Sequence, residues 1–367
     1  MRVSISTFYS DFNYGALLQA TALCRFLCDE LNCDARLLNH SAPIERQIFR
    51  SWRNPRGLAR NLLIMPYVAS MRRRAKKTRA FMLAHQRWTE PLRPGNPLPP
   101  SDVFIAGSDQ VWNVEKGINP LFFLSGVDPT VSRLVAYAAS FGTEHIPPDC
   151  RDDVAELLRR FHFISVRESS GADIVESLLG KRPPVVCDPV FLRSADDWRA
   201  MEERSPQRAR FKNGYVLVYA IRKDEILERC TAFVKKHTGL PVVQLLPGFN
   251  LWALRCADRR WHDAGPGEFL DLVDHAAFVC TNSFHCGAFS LIFGKPFLMA
   301  PSTLGRSTRL TNLLQLFGES DRFFDKMPSS DSGFAFDRLL HPDANRWNVQ
   351  IDEIRSEGGS YLRRSLL

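Results

Sequence analysis

Apolar positions along the chain alternate between two spacings, and the alternation predicts the architecture. Short apolar runs read as buried strands at Arg2–Tyr9, Ala35–Leu38, Val103–Ala106, Leu134–Ala138, Phe163–Val166 and Val185–Cys187. Helical spacing separates several of them, most plainly over Gly15–Leu31, where Leu17, Leu18, Ala22, Leu23, Phe26 and Leu27 fall on one face. A second series begins at Tyr215. Strands are predicted at Tyr215–Ala220, Val242–Leu245, Phe278–Cys280 and Phe297–Met299, with helices over Lys223–Lys236, Gly267–Asp274 and Thr308–Phe317. Strand and helix in alternation imply parallel sheets covered by helices. The fold class is therefore α/β, with two domains facing across a cleft. The expected units are residues 1–195, residues 213–345 and a final helix within 346–367, with SPQRARFKNG in Arg193–Asn213 as the linker.

The segment Phe278–Leu298, FVCTNSFHCGAFSLIFGKPFL, passes from a buried strand through Thr281-Asn282-Ser283-Phe284-His285 into an apolar helix. A helix amino end carries unpartnered N–H groups and partial positive charge, which suits an anion. An imidazole there can move a proton beside a phosphate or carboxylate. Equally, Ser283 and its neighbours can cap the helix and His285 can be a packed histidine.

A chain of 367 residues with 45% apolar content can bury the cores of two domains. Met1–Ser6 lead straight into a strand without the pattern of a secretory signal, and no run approaches the roughly 20 apolar residues of a membrane span. The nine cysteines are scattered, so a reduced cytoplasm is expected and a structural metal site is not. The net charge of +8 is concentrated in residues 43–100. Between Arg46 and Arg93 the only acid is Glu90, and Leu62, Leu63, Ile64 and Met65 interleave with the cations. This basic insertion predicts a solvated helical segment or a peripheral contact with the inner face of an anionic membrane. No recognised motif accompanies the charge, so nucleic acid is not an expected partner.

Several separated motifs then converge. Asp11-Phe12-Asn13-Tyr14-Gly15-Ala16-Leu17, the run FIAGSDQVWN at 104–113, Ser165-Val166-Arg167-Glu168, Cys187-Asp188-Pro189-Val190, TNSFHCGAFSLIFGKPF at 281–297 and Arg309 in STRLTNLL stand in this order. In these the chain resembles the polysaccharide pyruvyl transferase family along most of its length. The resemblance implies a GT-B-like arrangement of two Rossmann-like domains, with the acceptor on the N-terminal side and the donor on the C-terminal side. It also implies transfer of a pyruvyl group from phosphoenolpyruvate, as co-substrate, to hydroxyls of a sugar or lipid-linked glycan. No metal-ligand cluster stands in the sequence, so no metal or further cofactor is expected. Arginine suits the donor's two oxyanions because its planar fork binds them bidentately.

Arg167, Ser283, Arg306, Arg309 and Lys295 are therefore donor-binding candidates. His285 is the expected acid, and Asp11 and Asp109 are candidates for the base. Asn13, Tyr14, Ser108 and Gln110 are acceptor candidates. Arg167 can alternatively pair with Glu168 or Asp188, and Lys295 can be a cation at a helix end. Two other classes remain: a sugar-nucleotide glycosyltransferase of the same architecture, and a non-catalytic glycan- or membrane-binding protein.

Overall fold

In a computed structural model of the chain, residues 1–9, 13–40, 58–93, 96–115, 117–206, 208–246, 253–301, 308–326 and 336–367 are described, without side chains for 58–66 and 209. Two five-stranded sheets, each parallel throughout, form the scaffold. The first runs β2-β1-β3-β4-β5, from β1 (Arg2–Ser6), β2 (Asp34–Leu37), β3 (Val103–Ala106), β4 (Arg133–Ala139) and β5 (Phe163–Val166). The second runs β10-β9-β6-β7-β8, from β6 (Val216–Tyr219), β7 (Val242–Leu245), β8 (Arg259–Trp261), β9 (Phe278–Thr281) and β10 (Phe297–Met299). Every residue of β3, β6, β7, β9 and β10 is buried, as strands covered on both faces must be.

Two expectations are corrected. Val185–Cys187 is not a strand; Val185 makes an isolated bridge to Val166. The edge strand β8 was not predicted because Arg259-Arg260-Trp261 has no apolar run to mark it. The expected linker is also well packed. Ser194 and Asp197 form a reciprocal cap on the short helix Ala195–Arg199, whose Trp198 is fully buried.

The C-terminal helix, Ala344–Leu366, crosses between the two halves. At its start Trp347 donates to Glu319, and near its end the Tyr361 hydroxyl donates to the Ala136 carbonyl of β4 at 3.0 Å. A Cβ at Gly358 would lie 2.6 Å from the Tyr137 hydroxyl, so this crossing requires a residue without a side chain.

Within the basic insertion one long helix runs over Leu58–His85. One face of its middle braces the two halves, which the sequence did not predict, while Arg72, Lys76 and Arg79 remain exposed. Lys77 Nζ meets both Glu268 oxygens at 2.8 and 2.7 Å, and Arg73 pairs with Asp263 at 2.8 Å. Arg74, 1% exposed, lies over the Tyr14 ring and donates to the Leu246 carbonyl. Further along, Gln86 donates to Thr21 of the first helix, Tyr14–Asp29.

Candidate functional site

The carboxyl ends of β3, β4, β5 and β9 deliver the polar residues to one place, as open parallel sheets do. Arg167 follows β5, and its side chain is only 3% exposed. Its Nη1 donates to Asp188 Oδ2 at 2.7 Å, Nε lies 3.4 Å from Glu168 Oε2, and Asp109 Oδ1 stands 3.7 Å from Nη1. From the other half, the Phe284 ring lies 4.8 Å beneath the guanidinium. Burial works against the Arg167 charge, but Glu168, Asp188 and Asp109 together outweigh it and raise the pKa. Nη2 has no hydrogen-bond partner among the described residues.

Asp188 joins Arg167 to His285. It caps the short 3-10 turn Pro189–Leu192, accepting from Val190 N through Oδ1. Oδ2 receives Arg167 and stands 3.5 Å from His285 Nε2. Burial alone would raise its pKa. The imidazole and guanidinium reverse that and hold the carboxyl well below the usual carboxylate range.

His285 sits in the first turn of the helix Phe284–Ile292, its side chain 8% exposed. Ser283 caps that helix, accepting from Cys286 N. The imidazole lies against the start of the first helix, where a Cβ on Gly15 would be 2.0 Å from Nδ1. Glycine is what lets the two helix ends meet.

A cavity of about 420 Å³ lies between the halves, walled by Arg167, Glu168 and Asp188 on one side and Phe284, Arg309 and Asn312 on the other. Asn312 Nδ2, like Arg167 Nη2, is buried without a partner among the described residues. His285 Nε2, beside Asp188, is also buried without a hydrogen-bond partner among the described residues, and His285 is not among the described walls. With the Gln110 amide turned to accept, Arg309 donates to it across the cleft at 2.9 and 3.1 Å.

Other candidates are placed elsewhere or used otherwise. Lys295 is not brought to the site. It lies beyond the far end of the His285 helix, 3.8 Å from Asp274, and burial lowers its pKa. Tyr14 is committed to packing: its hydroxyl donates to Ala264 O and its ring stacks on Phe269. Ser108 is fully buried and donates to Ala138 O. Asn13 caps the first helix through Gly15 N. Asp11 and Arg306 lie outside the described residues. Away from the cleft, ligand atoms of Glu202, Asp271 and His275 gather within 4.8 Å, but Asp271 already takes Arg208 and Ser205 N.

Sequence reasoning missed Asp188, Phe284 and Asn312 as site residues. The Arg167–Asp188 pairing was open in the sequence, but only the third dimension shows the same carboxylate oxygen standing 3.5 Å from His285.

The model of the polysaccharide pyruvyl transferase family matches residues 13–300. The chain belongs to that family. The match takes in Arg167, Asp188 and His285, so the polysaccharide pyruvyl transferase segment holds the triad. Arg309 and Asn312, from the cavity's other wall, fall beyond it. No curated protein matches the chain. Among solved structures it is similar to a putative UDP-N-acetylglucosamine 2-epimerase from Listeria monocytogenes, at 10% identity and TM-score 0.48 over 98% of this chain and 90% of that one. It is also similar to Anabaena HepE in complex with UDP-glucose, at 11% identity and TM-score 0.49 over 99% and 100%. These likenesses say nothing of what this chain binds.

Proposed function

We propose that this polysaccharide pyruvyl transferase family member moves a pyruvyl group from phosphoenolpyruvate onto two hydroxyls of a sugar, forming a cyclic ketal. The observation that carries the reading is the pair of buried, unpartnered N–H groups of Arg167 and Asn312 on walls of the interdomain cavity. An unpaired buried donor is costly, so such groups favour a ligand that supplies acceptors. Phosphoenolpyruvate supplies a carboxylate and a phosphate, and Arg309 adds a second guanidinium from the opposite wall.

In this reading a proton adds to the donor's methylene carbon, and the neighbouring carbon gains oxocarbenium character. One sugar hydroxyl adds there. The second closes the ketal as inorganic phosphate departs, and of the two hydroxyl protons released, one replaces the proton consumed and the other leaves on the phosphate. His285 is assigned the acid, positioned by Asp188, while Asp109 and Asp11 are the base candidates. Arginines fixed before the reaction stabilise the departing phosphate without reorganisation. A cytoplasmic setting, a lipid-linked acceptor and a peripheral contact of the basic stretch with an anionic membrane belong to the same proposal. Among the described residues no helix is long and apolar enough to cross a membrane.

Calorimetric titration with phosphoenolpyruvate, and with UDP and GDP in parallel, tests the donor. Saturable phosphoenolpyruvate binding is expected, weakened about tenfold or more in Arg309→Ala, as for a lost charged hydrogen bond. Nucleotide binding without phosphoenolpyruvate binding would overturn the assignment.

A further inference from the structure

A second cavity, of about 530 Å³, opens beside the donor cavity. Among the described walls, the two share Glu168 and Arg309. It carries less positive charge than its neighbour: among the described walls Arg309 is its one arginine, where the donor cavity has Arg167 and Arg309 beside Glu168, Asp188 and Glu357. Glu115, Glu144 and Glu168 line it, while Ile146, Pro147 and Pro148 give it an apolar side. Glu168 is buried, with one oxygen toward the Ser140 hydroxyl and the other toward Arg167 Nε. Each carboxylate oxygen can accept more than one hydrogen bond, so Glu168 keeps acceptor capacity at the boundary between the cavities. The outer side is pinned across the cleft, where Thr308 donates to Glu144.

We propose that this second cavity binds the acceptor as a neutral pyranoside, its diol toward Glu168 and a C–H face against Pro147 and Pro148. The proposal deepens the donor reading and rests on it for the direction in which the diol faces. Hydroxyls are the donors that carboxylates need, and prolines offer a flat apolar surface at little entropic cost. Its three carboxylates outnumber Arg309, the one arginine among the described walls, and Arg167 is not among them, so a uronate or a sugar phosphate is less well matched here than in the donor cavity. Contact between the cavities at Glu168 puts a bound hydroxyl next to the donor without exposing the donor's charges to bulk water.

Saturation-transfer NMR on the full chain tests this, with methyl glucoside, galactoside and mannoside at millimolar concentration, with and without phosphoenolpyruvate. Methyl glucuronide is the charged control. At least one neutral glycoside is expected to give signal and the glucuronide none. Ser170→Trp fills the second cavity from a wall the donor cavity lacks. It is expected to abolish the glycoside signal while leaving phosphoenolpyruvate affinity within about twofold, since no donor-cavity wall changes. Thr143→Trp, from another part of the wall, is the second variant should the first misfold. The proposal is overturned if no neutral glycoside gives signal, if the signal survives the tryptophan, or if the glucuronide binds as well. Failure of phosphoenolpyruvate to bind the native chain would sink the donor reading instead, and the glycoside arm run without it would still decide the second cavity.

Discussion

The two cavities in the cleft are of similar size and share two residues, yet they differ in the cations they present: Arg167 and Arg309 in one, Arg309 as the one arginine among the described walls of the other. The donor cavity, about 420 Å³, offers unpartnered N–H groups on Arg167 and Asn312. Its neighbour, about 530 Å³, offers the carboxylates of Glu115, Glu144 and Glu168. An enzyme that must hold an anion beside a polyol without exchanging them gains from this division. Each ligand placed in the wrong cavity would leave buried groups unpaired or like charges opposed, and those costs discriminate more sharply than added attraction does. Glu168 and Arg309 belong to both walls, so the partition is drawn through one ion of each sign.

Arg167→Ala breaks the donor side most severely. It leaves Asp188 and Glu168 buried beside the space the guanidinium filled, and removal of one partner from a buried ionic cluster costs about 3–5 kcal/mol. Chemical denaturation is expected to show that loss, and calorimetry the loss of phosphoenolpyruvate binding. If the comparison is right, glycoside binding in the second cavity survives wherever the variant remains folded.

Asp188→Asn is expected to cost less and to do so as a function of pH. The native carboxyl is held below its ordinary pKa by His285 and Arg167 against the burial that would raise it. A depressed carboxyl contributes stability that is present above the unfolded pKa of about 4 and lost as pH falls toward the native value. The native chain should therefore exceed the variant by about 1.5–3 kcal/mol near neutrality, the range for hydrogen bonds to charged groups. The gap should close progressively below about pH 4. Denaturant midpoints across that range check the sign; a gap that widens on acidification would refute the linkage.

Much of this molecule was legible beforehand, for an identifiable reason. Parallel strands buried on both faces leave continuous apolar runs, so β3, β7 and β10 could be read at the residues where they stand. His285 and Arg167 followed from polar residues placed at strand ends. What could not be read were relations between distant segments. The Lys77–Glu268 pair bridges residues 191 apart, so nothing local marks the basic helix as a brace. Lys295 stands where its alternative reading put it, as a cation beyond the end of the His285 helix, because most of that helix lies between it and His285. Edge strand β8 escaped because its backbone pairing with β7 is independent of its charged side chains.

Gly15→Ala is the smallest change and separates chemistry from binding. Gly15 belongs to no described wall of either cavity. A methyl there would lie 2.0 Å from His285 Nδ1 and 2.4 Å from Cγ, so the imidazole must move away from its present register with Asp188. Overpacking of this kind costs about 1–3 kcal/mol, a modest fall in stability. The kinetic consequence is larger, because displacement of a proton-transferring group by an ångström lowers its contribution by about 100-fold. The expected signature is a kcat reduced on that scale, with the Kd for phosphoenolpyruvate changed little and glycoside binding unchanged. If instead donor affinity falls in step with turnover, His285 acts through the anion site, and its assignment as the acid has to give way to one of positioning Asp188 beneath Arg167.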